Sequence, residues 1–260
     1  GNTLSLTSLT SSTAVSSGTQ TTNNIAVGNN GTKANGGNSS AFGSSVTAEG
    51  PYSVALGSSG VTAAGTGGVA IGNGGVSTKV SSGTQTNGNI SVGASGVSSY
   101  GGNSAAFGAS GTTASGSQAI AVGVSAVRAT GENSSAFGNT GTAATAARAT
   151  AIGYSVTASG ERSTAIGSSG ASSGQNTTVS GYYSIGLGTS AKVSGNYSSA
   201  LGFNVTTSGN NSATVGAASM TSGNQSVTLG YSSGANGDYC TSIGANGVVG
   251  RYLAVFFCPR

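Results

Sequence analysis

Asn38-Ser39-Ser40-Ala41-Phe42-Gly43 and, fourteen residues on, Tyr52-Ser53-Val54-Ala55-Leu56-Gly57 share one grammar: a small residue, a large apolar residue and a Gly close each segment. The triplet recurs with its Gly at 28, 43, 57, 72, 93, 108, 123, 138, 153, 167, 188, 202, 216, 230 and 244. The intervals are 14 or 15 residues, apart from two of 21, after Gly72 and after Gly167. In most coils a second Gly stands seven residues before the first, as Gly50 before Gly57 and Gly209 before Gly216. Self-similarity at a fixed short period marks a repeat architecture, in which each unit buries its apolar surface against its neighbours.

Half a coil, about seven residues, holds a strand of four or five residues and a tight turn; two helical turns with their connections do not fit. The Val, Ile, Thr and Phe content of these halves and their Ser-Gly, Asn-Gly and Glu-Gly punctuation read as strands and turns. The expected fold is all-β: a parallel β-solenoid of about fifteen coils, two short strands per coil, each strand stacked on its equivalent in the next coil. At about 4.8 Å per coil the stack would span roughly 67 Å. The longer coils at 72 to 93 and 167 to 188 are expected to bulge from it.

Alternate residues of a strand face opposite sides. In the segment ending at Gly57, Ser53 and Ala55 share one side with the Gly, and Val54 and Leu56 the other. The small side suits the interior of a narrow roll. The other side carries Val27, Phe42, Leu56, Ile71, Val92, Phe107, Val122, Phe137, Ile152, Ile166, Leu187, Leu201, Val215, Leu229 and Ile243. Monomers rarely expose so large an apolar stripe, so these residues are expected to form the interface of a homo-oligomer. The competing arrangement makes the stripe the roll's own core and turns the Ala and Ser side to water.

Composition excludes much chemistry. Of 260 residues 48 are Gly and 2 are Pro, 5% are charged, the formal net charge is +4, and His and Trp are absent. The acids Glu49, Glu132, Glu161 and Asp238 are scattered. Most metal sites and acid–base catalysts need groups this chain lacks, so no enzyme activity and no cofactor are expected; a polysaccharide lyase is the enzyme alternative. The eight cations form no cluster of the kind that binds nucleic acid. No apolar run is long enough to cross a membrane as a helix, and no secretory leader opens the chain. An ice-binding face is disfavoured because the Thr do not fall in regular outward ranks.

Other residues complete the reading. Cys240 and Cys258 admit an intramolecular disulfide, two free thiols or an interchain bond. Tyr252, Leu253, Val255, Phe256 and Phe257, within residues 251–260, are read as a cap over one open end of the solenoid or an end-to-end contact. Residues 1–11 would serve the other end, leaving 12–250 for the repeats. Most Tyr fall near turns, where a ring can stack on sugar, and Tyr182-Tyr183 is the best candidate ligand contact.

The segments quoted above, with Ser163-Thr164-Ala165-Ile166-Gly167 and linkers such as Thr157-Ala158-Ser159-Gly160, resemble the YadA-like head repeats of trimeric autotransporter adhesins over about residues 12 to 250. The resemblance implies a left-handed parallel β-roll. It also implies a homotrimer with the large apolar residues toward the three-fold axis, and a surface or extracellular role in adhesion to a host protein or glycan. Similar repeats occur in phage and virus fibres, so a tail-fibre or spike protein is one alternative and a self-assembling extracellular filament subunit is another. No neck, heptad stalk or membrane anchor follows the repeats, which leaves attachment to an outer membrane open.

Overall fold

The computed structural model describes residues 14–16, 23–74, 81–82, 88–170, 175–246 and 249–250, and among these there is no helix. The chain forms two compact units, residues 1–118 and 119–260. Both are parallel β-solenoids with a five-residue strand and a two-residue strand per coil.

In the first unit the long strands Ile25–Asn29, Ser40–Ala48, Val54–Ala63, Val69–Asn73, Ile90–Ala94 and Ala105–Ala109 stack in parallel. Their register follows the repeat, with Val27, Phe42, Leu56, Ile71, Val92 and Phe107 in one row. In Ser40–Ala48 and Val54–Ala63 the two strands of a coil run together, with a register shift between Ser44 and Val46. In the second unit nine long strands, from Ile120–Val124 to Thr241–Ala245, stack in the same way. Short strands such as Thr157–Ala158, Thr178–Val179 and Lys192–Val193 form the facing sheet.

The 21-residue coils keep register. Gly72 pairs with Gly93 and Gly167 with Gly188, so the long strands on either side of each 21-residue interval stay in register. In the second unit the Gly170 N–H donates to the Gln175 carbonyl at 2.7 Å.

The interior decides between the two arrangements posed by the alternation. Ala41, Ala55, Ala70, Ala121, Ala136 and Ala151 are fully buried. Apart from Asn89, the largest fully enclosed side chains are Val and Thr, such as Val46, Val61, Val127 and Val156. The stripe is therefore not the core, because the two sheets approach too closely for Phe, Leu or Ile. So thin a core contributes little hydrophobic stabilisation, and the inter-coil hydrogen-bond ladder carries much of the order. Where Thr replaces Val in the core, its hydroxyl finds a carbonyl: Thr142 Oγ1 donates within reach of Asn139 O at 2.9 Å and Gly153 O at 2.8 Å.

The first coil does not present a free edge. Ala14–Ser16 pairs antiparallel with Ile25–Asn29, Val15 opposite Val27, whereas the registers within each solenoid are parallel. Residues 1–11 and 251–260 lie outside the described residues, and with them Tyr252, Leu253, Val255, Phe256, Phe257 and Cys258.

Candidate functional site

Two surfaces stand out, and the repeat geometry builds both. The first is the outer face of the long-strand sheet. In the first unit Phe42, Leu56 and Phe107 are exposed, and in the second Phe137, Ile152, Ile166, Leu201 and Leu229 are, at 36–49% of their areas. Val27, Ile71, Val92, Val122, Leu187, Val215 and Ile243 are half-buried in the same rows. The sequence reading placed Val54 on this face but did not extend the rank two residues upstream to Ile25 and Ile90 in the first unit and Ile120, Ile185 and Val227 in the second, all exposed. The signal was present, since residues two apart share a strand face. In each unit the apolar face is thus a band rather than a single line.

The second surface is a turn ridge in the second unit. The turn that joins each short strand to the next long strand places one residue in the left-handed region: Asn133, Arg148, Arg162, Tyr183, Tyr197, Asn211, Gln225 and Tyr239, with φ between +51° and +59°. Each backbone N–H is held by the preceding coil; Arg162 N–H reaches Ala147 O at 2.9 Å, Tyr183 N–H Glu161 O at 3.0 Å, and Tyr197 N–H Tyr182 O at 2.8 Å. The ladder therefore fixes the side chains in a rank.

Tyr182 and Tyr183 do come together, edge to face with centroids 4.5 Å apart. Tyr197, which sequence reading did not single out, completes the cluster: it stacks on Tyr183 with the rings 12° from parallel and 5.6 Å between centroids. The Arg162 guanidinium lies 4.8 Å from the Tyr183 centroid and donates to the Tyr183 hydroxyl. Glu161 sits between Arg148, at 4.0 Å, and Arg162, at 3.8 Å. Arg162 and Tyr183 are 21 residues apart in sequence, and the pairing of Thr164–Ser168 with Ile185–Thr189 makes them neighbours.

Elsewhere the geometry offers structure rather than chemistry. Among the described residues no group of three or more His, Cys, Asp or Glu converges. Cys240 is buried; its N–H donates to Ser226 Oγ at 2.9 Å and its thiol points to the Asp238 carbonyl at 3.6 Å, so it replaces a Ser in an internal ladder. Thr157, Thr178 and Thr206 do fall in one row of the short-strand sheet, but Lys192 interrupts it.

A family model described as the YadA head domain repeat (2 copies) matches residues 34–59, 114–140, 129–155, 144–169 and 180–204. No curated protein matches the chain. The matched stretches include Ala-large apolar-Gly triplets of stacked long strands in both units, and over those stretches the chain is similar to the YadA head domain repeat.

Proposed function

We propose that this protein is a non-enzymatic adhesive head, displayed outside the cell, that assembles as a homotrimer through the apolar face of its long-strand sheets and binds a host surface protein or glycan. The observation that carries the reading is the exposed apolar band. Fully burying a side chain of the Phe, Leu or Ile class stabilises by about 1.5–3 kcal/mol. Half or less of each of these side chains is still open to burial, and summed over the rows this is of the order of the association cost of about 4–15 kcal/mol. The YadA head repeats support adhesion and a surface location, since head modules of this kind are adhesin-like. The antiparallel strand Ala14–Ser16 favours a discrete particle over an end-to-end filament, because it occupies the edge on which another coil would stack.

The test is sedimentation equilibrium of the purified protein, with adhesion to matrix-coated surfaces measured beside it. A trimer that adheres supports the reading. A stable monomer at micromolar concentration, or a trimer without adhesion, overturns it.

A further inference from the structure

The ridge at Arg148, Arg162, Tyr183 and Tyr197 puts bulky side chains where the backbone favours Asn. Bulky residues in the left-handed region are outliers, and the conformation costs roughly 1–2 kcal/mol relative to the right-handed one. The same turn elsewhere holds Asn, as at Asn133 and Asn211, the residue that tolerates this conformation best. Backbone and side-chain ladders hold the coils together whatever stands at that position, so the roll does not need aromatic rings there. Strain of this kind points from an observed outlier to function.

What the strained residues form is an aromatic ledge in which Tyr183 and Tyr197 stack and Tyr182 stands edge-on to both. The described residues contain three close ring pairs, all within Tyr182, Tyr183 and Tyr197. Tyr183 is 43% exposed and Tyr197 58%, and Asn211 holds the same turn position in the next coil. Two guanidiniums against one carboxylate leave one end of the ledge net positive. An aromatic face beside exposed amides matches the apolar face and hydroxyl rim of a pyranose, and a planar guanidinium matches carboxylate or sulfate.

Resting on the adhesive reading above, we infer that this ledge binds an acidic glycan, a pyranose ring lying on Tyr197 and its carboxylate or sulfate held by Arg162 and Arg148. Glu161 competes for the same guanidiniums, so the site is moderate in affinity and sensitive to salt. Tyr and Arg also anchor protein interfaces; the excess of two guanidiniums over one carboxylate beside the rings favours an acidic glycan.

The experiment is calorimetric titration of the native oligomer with heparin, hyaluronan and neutral dextran oligosaccharides. Heparin binding that weakens as salt rises is expected; hyaluronan binding as well assigns the contact to carboxylate, and heparin alone assigns it to sulfate. Tyr183→Asn with Tyr197→Asn places the favoured turn residue at both positions, so the roll keeps its stability while heparin affinity falls by roughly tenfold or more, the scale of a stacked contact. Arg162→Gln gives a similar fall with a shallower salt dependence. Tyr52→Asn, the equivalent turn in the first unit, leaves affinity unchanged.

Equal binding of dextran, no binding of either acidic oligosaccharide, or an equal loss on Tyr52→Asn overturns the inference. A native protein that adheres to matrix while binding neither acidic probe overturns the ledge and keeps the adhesive reading. Heparin binding through Tyr183 and Tyr197 without adhesion to any surface does the reverse.

Discussion

A Cβ built on Gly202 would lie 1.7 Å from the carbonyl oxygen of Gly216, one coil away. Gly202 also has φ +140°, where L side chains are strained whatever the space. The Gly of each triplet is thus required twice, by its own backbone and by the approach of the next coil. Gly141 differs: its φ is +76° and a Cβ there meets nothing within 4 Å. Gly202→Ala is expected to cost about 3 kcal/mol or more, in the range reserved for clashes and strain, and Gly141→Ala about 1 kcal/mol for its conformation alone. Denaturant midpoints of the two variants measure the difference. Equal costs would mean that close approach of the coils does not set the Gly requirement.

The buried Ser ladder makes a second contrast. Ser212 Oγ donates to Gly223 O at 2.8 Å and accepts from the Ser226 N–H at 3.1 Å. Ser163, at the equivalent position three coils earlier, has a buried hydroxyl with no partner. Removing one partner strands the other, at about 1–3 kcal/mol, whereas removing an unsatisfied group relieves a cost. Ser212→Ala should therefore destabilise by about 1–3 kcal/mol, and Ser163→Ala should be neutral or stabilising. Ala149 already stands one coil before Ser163 at the same position, so the smaller side chain fits. A loss of stability in Ser163→Ala comparable to that in Ser212→Ala refutes the account.

Charge on the apolar band should separate assembly from folding. Leu201 is 49% exposed and its strand neighbours on the inner face are enclosed without it. Leu201→Asp is expected to leave the strand signature in circular dichroism intact while shifting sedimentation from trimer to monomer, because an unpaired charge buried at an interface costs several kcal/mol. Ser208→Asp, on an exposed turn, is the control that keeps the trimer. If Leu201→Asp remains trimeric, the subunits meet through another surface.

The period and the Ala row made the roll legible in the sequence, because only small residues fit between sheets this close and the alternation then dictates what faces out. Tyr182 and Tyr183 were legible as turn residues too. Their partners were not. Arg162 reaches Tyr183 because the long strands pair across the 21-residue interval, Thr164 opposite Ile185, and no local pattern says which turn residues that pairing brings together. The rank was not followed beyond Val54 to Ile25 and Ile90 because Ser, Thr and Ala share that position in other coils, as Ser40, Thr150 and Ala105 do. The pairing of Ala14–Ser16 rests on three residues, too few to carry a direction.

Thr inside the roll is the last feature the sequence hid, since Thr suits either face of a strand. Thr207, Thr214, Thr221 and Thr228 place their hydroxyls 2.7 Å apart in one internal row, and each also reaches a carbonyl, as Thr207 Oγ1 does with Ser199 O at 2.8 Å. A hydroxyl has one proton to give, so each oxygen depends on a neighbour's orientation and the row acts as a unit. Thr214→Val keeps the volume but orphans two neighbours, at about 1–3 kcal/mol. Replacing all four by Val removes donors and acceptors together and should cost less than the sum of the four single variants, a coupling of about 0.5–3 kcal/mol. Denaturant titrations of the singles and the quadruple variant decide it; strictly additive losses would show that each hydroxyl is satisfied by its own carbonyl and that the row is four separate hydrogen bonds.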